Sequence, residues 1–194
     1  MMDQPRRLVL ASTSPYRRSL LERLGLAFEV ASPQCDETPL SGEAPQDTAV
    51  RLASLKAKSL GLADALILGS DQVAFSQGQR LDKPGDHATA TRQLRTLSGK
   101  SADFHTAVAL LDTKSGDLQQ RVVPCRVTFR KLDERTIEDY LRREQPYDCA
   151  GSAKAEGLGI ALIARIDTED PTSLIGLPLI ALSEMLARAG LPVV

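Results

Sequence analysis

Residues 8–18 read Leu8-Val9-Leu10-Ala11-Ser12-Thr13-Ser14-Pro15-Tyr16-Arg17-Arg18, and this junction decides how the chain is built. A short apolar run gives way to three hydroxyl residues and a proline, the signature of a buried strand turning into a helix. The strand is expected over Leu8–Ala11 and the helix over Pro15–Leu24. Ser14 suits the N-cap, and Pro15 suits the first helical position, where a missing N–H costs nothing. A helix N-terminus carries unpaired N–H groups and roughly half a positive charge, so it collects anions. Arg17 is out of place in a first turn unless an anion offsets it. The junction therefore reads either as a phosphate cradle or as an ordinary strand–helix turn with surface arginines.

Outward from this unit, strands and helices alternate without repeats, low-complexity tracts or long linkers. A second strand is expected at Phe28–Ser32, then a polar loop at 33–45 carrying Asp36-Glu37. A helix follows from about Gln46 to Leu62, with Lys56 and Lys58 inside it. Ala65–Gly69 reads as a buried strand, punctuated by Ser70-Asp71-Gln72 before Val73-Ala74-Phe75, and Gln77-Gly78 reads as a hairpin tip. The loop Leu81–Gly85, with Lys83, precedes a helix at about Asp86–Leu97 that Ser98-Gly99 ends. The clearest hairpin pairs Ala102–Asp112 with Leu118–Arg130 across Lys114-Ser115-Gly116-Asp117. Asp133 caps a helix to about Arg143, Ala150–Glu156 is a loop, Gly159–Arg165 a strand, and Ser173–Ala189 a closing helix. A long hairpin among parallel-type units argues against a simple doubly wound sheet. The expected fold is α/β, with a mixed, twisted central sheet flanked by helices and two lobes around a substrate cleft, all in one domain over residues 1–194.

Composition narrows the function. The 194 residues can hold one sizeable core, or two small lobes sharing one. A net charge of -1 gives no electrostatic case for long nucleic acid. No apolar run approaches the roughly 20 residues of a membrane span, and the N-terminal stretch lacks a signal-peptide cleavage pattern. Cys35, Cys125 and Cys149 are odd in number and widely spaced, which suits reduced thiols in a cytoplasm and opposes a zinc site. His87 and His105 are too few and too far apart for a histidine-based metal centre.

Four polar clusters interrupt the apolar elements. Ser12–Arg17 is the first. Asp36-Glu37 offers hard oxygen ligands that suit Mg²⁺ or Mn²⁺ on a phosphate, and equally suits a solvated acidic loop. Gly69-Ser70-Asp71-Gln72 places a carboxylate at the end of an apolar strand, where burial without a partner is expensive and where α/β proteins bind ligands. Gly151–Gly157, with Lys154 and Glu156, is glycine-flanked and suits a backbone that approaches a ligand closely. Lys56 and Lys83 taken singly read as surface lysines.

Taken in order, Ser-x-Ser-Pro-x-Arg-Arg, Asp-Glu-x-Pro, a lysine-bearing helix, Gly-Ser-Asp, Lys-Pro, Ser-Gly-Lys and Ala-Gly-Ser-x-Lys-x-Glu-Gly resemble the Maf family of nucleoside triphosphate pyrophosphatases from end to end. Ile175-Gly176-Leu177-Pro178 fits the same pattern. The resemblance implies hydrolysis between the α- and β-phosphates, releasing nucleoside monophosphate and diphosphate. It implies that Asp71 accepts a proton from water, that Ser12, Arg17, Lys56 and Lys83 hold the triphosphate, and that Glu37 with Asp71 brings in a divalent metal cation, Mg or Mn. It leaves Asp71 as either general base or metal ligand. Tyr16, Gln72 and Glu156 fall where subfamilies differ and look like the subfamily that hydrolyses 7-methyl-GTP; the pyrimidine-specific one carries Arg, Thr and Gln there. A dTTP/UTP or other modified-nucleotide pyrophosphatase, and a nucleotide-binding regulator of cell division or septum formation, are the rival expectations. The family also suggests a homodimer, with a small-molecule nucleotide as its partner.

Overall fold

The computed structural model describes residues 6–194. Residues 1–5, part of the stretch without a cleavage pattern, lie outside the described residues. Strand β1 (Arg7–Ala11) is buried after its first residue and runs into helix α1 (Pro15–Glu22). Ser14 caps that helix, its Oγ accepting from the Arg17 N–H. The helix stops short of Leu24 because Gly25 follows at φ +68°. Strand β2 (Glu29–Ala31) is shorter than expected and pairs parallel to β1, Leu10 opposite Val30. Helix α2 (Pro45–Lys58) likewise ends early, ahead of Gly61 at φ +60°.

Strand β3 (Ala65–Ser76) pairs parallel to β1 and then antiparallel to β4 (Gln79–Leu81). Gln77 and Gly78 form the tip between them, both at positive φ as a primed hairpin turn requires. Helix α3 (His87–Leu97) is capped by Asp86 and followed by Gly99 at φ +68°. The long hairpin is present as β5 (Ser101–Asp112) and β6 (Leu118–Phe129), its turn closed by the Asp112 N–H on Asp117 O at 2.9 Å. Asp133 caps α4 (Glu134–Glu144). Strand β7 (Ile163–Thr168) pairs antiparallel to β6, and helix α5 (Leu179–Arg188) closes the described chain. The sheet is mixed and seven-stranded, in the order β2-β1-β3-β5-β6-β7 with β4 on the side of β3. With five α-helices among the described residues, the fold is the expected α/β.

Three expectations need correction. Ser70-Asp71-Gln72 does not end a strand, because β3 runs unbroken through it; the charge that suggested a terminus is paired in place, as described below. The strand expected at Gly159–Arg165 begins only at Ile163. Residues Leu158–Leu162 form a 3-10 turn, in which a Cβ on Gly159 would lie 2.5 Å from Lys154 O. The helix expected from Ser173 is broken in two. A 3-10 turn at Pro171–Ile175 ends at Gly176 (φ +124°), and α5 begins only after Pro178. Buried Asp170 fixes this break: Oδ1 accepts from the Thr172 N–H at 3.1 Å and Oδ2 from the Ile180 N–H at 2.8 Å.

The chain divides into two compact units. The first comprises the chain through Gln72, Thr106–Val123 and Asp170–Val194. Leu8, Leu10, Leu20, Leu21, Leu66 and Leu68 form its core with Leu177, Leu182 and Leu186, and each such side chain contributes about 1.5–3 kcal/mol on burial. The even-numbered residues of β3 serve this core, so the odd-numbered ones face the other way. On that face Gly69 is indispensable. A Cβ there would lie 2.1 Å from Ala53 O and 2.8 Å from Ala57 N, so α2 rests backbone to backbone on β3. The second unit comprises Val73–His105 and Pro124–Glu169. Its buried residues include Leu94, Leu97, Phe104, Phe129, Ile137 and Leu141, and α3 packs on α4.

Candidate active site

The close approach of α2 to β3 brings Lys56 to Asp71. Both residues are buried, at 5% and 8% exposure. The Lys56 Nζ lies 2.7 Å from Asp71 Oδ1 and 2.7 Å from Glu37 Oε2. One ammonium thus joins two carboxylates, and this pairing lets Asp71 sit inside a strand rather than at its end. Removing a partner from an isolated buried pair costs about 3–5 kcal/mol, but here the ammonium keeps a second carboxylate if one is lost.

Glu37 arrives on an ordered loop. Asp36 Oδ1 accepts from both the N–H and the hydroxyl of Thr38, at 2.9 and 2.6 Å. Arg51 of α2 grips Glu43 with Nε and Nη2, at 2.7 and 2.8 Å, and donates to Thr38 O at 3.3 Å. The Arg51 guanidinium holds the Glu43 carboxyl down at about 2. Glu37 itself remains half exposed, its side chain 53% accessible.

Arg17 and Arg18 part company on α1, as the roughly 100° between successive helical residues requires. Arg17 turns inward. Its Nε donates to Gly176 O at 2.9 Å, and its Nη1 reaches buried Ser12 Oγ at 3.5 Å. Burial lowers the pKa of its guanidinium, while the charges of Asp71 and Glu37 pull the other way; an arginine remains a cation throughout. Arg18 is exposed and pairs with Glu22 one turn on, at 3.0 Å. Ser12, Arg17, Glu37, Lys56 and Asp71 are therefore gathered in the first unit. Arg17→Ala should raise KM for any nucleoside triphosphate roughly tenfold or more, the scale of a charge-assisted contact, whereas Arg18→Ala should stay within about twofold, as an exposed pair does. Equal kinetic damage from the two would remove the distinction.

Tyr16 is half-buried on the same turn. Gln72 points to the face of β3 opposite Asp71. Its Nε2 lies 2.9 Å from Thr106 Oγ1, 3.0 Å from Ser173 O and 3.1 Å from Leu174 O. Any part in reading a base therefore falls to its amide oxygen. Lys83 and Glu156 belong to the second unit and are exposed there. The loop around Glu156 is clasped from both sides by Glu144, which accepts from Lys154 Nζ at 3.0 Å and from the Leu158 N–H at 2.6 Å. Sequence reasoning missed Glu144 and Thr106, and took Ser70 only as a member of the Gly69–Gln72 cluster. Only Ser70, embedded in an apolar run beside Asp71, gave any signal.

Among the described residues no cluster of three or more His, Cys, Asp or Glu could hold a metal ion. Asp71 and Glu37 fit the looser pattern of Mg²⁺, which takes one or two carboxylates and completes its sphere with water and substrate phosphates. Hard oxygens beside inward-facing cations equip an α/β protein of this kind for phosphoanhydride chemistry.

The sequence pattern of the family described as "Maf-like protein" matches residues 7–189. The chain belongs to that family. It is 55% identical over 188 residues to a 7-methyl-GTP pyrophosphatase of Cupriavidus pinatubonensis, covering 96% of this chain and 94% of the relative. A protein of that name from Thiobacillus denitrificans is also 55% identical, with the same coverage. Another from Polaromonas sp. is 56% identical over 95% of this chain and 85% of its own. The solved structure of a HAM1 protein from Coxiella burnetii is similar at a TM-score of 0.46 and 19% identity, covering 66% of this chain and 74% of that one; so slight a likeness carries no argument.

Proposed function

We propose that this protein is a nucleoside triphosphate pyrophosphatase that hydrolyses 7-methyl-GTP to 7-methyl-GMP and diphosphate, clearing modified nucleotides from the cellular pool. The observation that carries the reading is its identity of more than half, over nearly the whole chain, to proteins bearing that name. In this reading a water oxygen bonds to phosphorus as the α–β bridge breaks, and Asp71 takes the water's proton. Lys56 neutralises the buried carboxylate and, with Arg17, Ser12 and Lys83, holds the triphosphate. A divalent cation bound by Glu37 and Asp71 would neutralise charge between phosphates. A homodimer belongs to the same reading by analogy with the family, and a cytoplasmic setting by the unpaired spacing of the cysteines.

Base preference is assigned to Tyr16, Gln72 and Glu156. Methylation at N7 makes the guanine ring cationic and leaves its N1–H and exocyclic N–H as donors. An anionic Glu156 accepts both and favours the positive ring. Tyr16 adds cation–π attraction of about 0.5–2 kcal/mol. Turnover of 7-methyl-GTP should therefore far exceed that of GTP, dTTP or UTP. Glu156→Gln should cut the preference by about 1–3 kcal/mol, roughly five- to 150-fold. Measuring kcat/KM for the four nucleotides on both proteins tests this, and a parent protein that prefers dTTP or UTP ends the assignment.

A further inference from the structure

Ser70 is fully buried one residue before Asp71, and by strand alternation its side chain takes the opposite face. Its Oγ lies 2.8 Å from Ala107 O and 2.9 Å from Gly176 O, so its single hydrogen is shared between two carbonyls. Gly176 O also accepts from Arg17 Nε at 2.9 Å. One carbonyl thus receives the buried hydroxyl and the inward-facing arginine, using both its lone pairs. The turn that presents this carbonyl is gripped from the same face of β3. Gln72 Nε2 and Thr106 Oγ1 both donate to Ser173 O, at 3.0 and 2.9 Å. Gly176 stands at φ +124°, where other residues are strained, and its Cβ position would sit 3.7 Å from Arg17 Nε. Backbone conformation rather than space demands the glycine.

We propose that Ser70 is a positioning residue for phosphate binding: through the Gly176 carbonyl it sets the direction in which Arg17 presents its guanidinium. Arg17 commits Nε to this carbonyl at 2.9 Å and reaches Ser12 Oγ with Nη1 at 3.5 Å, and the shorter anchor decides where the remaining N–H groups point. Without the Ser70 hydroxyl, Gly176 O loses one of its two donors and the turn is held only from its Ser173 end, so the carbonyl can shift and Arg17 loses part of its aim while keeping its charge. The inference rests on the reading of Arg17 as a phosphate ligand.

The test is a double-mutant cycle on the whole protein, with KM and kcat measured for 7-methyl-GTP and GTP, and thermal melting measured for every variant. Ser70→Ala is expected to raise KM three- to tenfold and equally for both nucleotides, because the contact it disturbs reads only phosphate, with kcat within about twofold. In the Arg17→Ala background the same substitution should add less than twofold, since a residue that acts through another has nothing left to position. A full Ser70→Ala effect on top of Arg17→Ala overturns the proposal, as does an Arg17→Ala loss with Ser70→Ala harmless. A harmless Arg17→Ala overturns it differently, by removing the phosphate-binding reading beneath it. If Ser70→Ala melts below the assay temperature, Ser70→Cys, which leaves no cavity and weakens the donor, carries the same cycle with the same criteria.

Discussion

Asp71→Asn is expected to lower turnover by at least ~10²-fold, the low end for a positioned acid–base group, while leaving the protein folded. Asparagine keeps the size of aspartate and an oxygen that can still accept from Lys56, but it loses both basicity and negative charge. Lys56 is not stranded, because Glu37 Oε2 lies 2.7 Å from the same Nζ. The structural penalty is therefore small against the chemical one. Diphosphate release and thermal melting, measured side by side, separate the two. A folded Asp71→Asn protein with near-normal turnover would exclude Asp71 from the proton-accepting role.

Gly69→Ala should be the most damaging one-carbon change in the first unit. The added Cβ would be placed 2.1 Å from Ala53 O and 2.8 Å from Ala57 N. These are backbone atoms of α2, so no flexible side chain can move aside, and the helix itself must lift from β3. Overpacking typically costs about 1–3 kcal/mol, and a loss of at least about 3 kcal/mol is expected here. If the variant folds at all, the lift pulls Lys56 away from Asp71, and activity falls with stability. Urea unfolding reads the first effect; a midpoint corresponding to less than about 1 kcal/mol of loss would show that α2 does not rest on this glycine.

What could be read from the sequence follows the range of the forces involved. The strand–cap–proline–helix unit at 8–18 obeys local rules, so β1, Ser14 as cap and α1 are legible, as are the Asp133 cap and the Gln77-Gly78 tip, whereas Asp86 reads as the first helical residue and is in fact the cap. Asp71 announced itself as a charge in an apolar run. Its place in the middle of β3 did not, because the ammonium that makes it tolerable comes from another element, 15 residues away. The break before the closing helix is hidden from the sequence for a similar reason: the carboxylate of Asp170 stitches its broken ends together from outside both. Ser70 and Thr106 take their meaning from carbonyls at Gly176 and Ser173, which no periodicity reveals. Glu144 lies at the end of an ordinary amphipathic helix and becomes notable only through the loop it clasps.

The carbonyl of Gly176 has a bearing on the order in which the protein becomes itself. The contacts that gather Lys56 and Asp71 close a span of 15 residues, whereas the bond that seats Arg17 joins positions 159 apart. Loop-closure entropy makes the short span early and the long one late. In chain entropy the Lys56–Asp71 contact is thus the less costly of the two to close, and the seat of Arg17 the more costly. By that measure the seat of Arg17 depends on the chain having closed nearly end to end, and the Lys56–Asp71 pair does not.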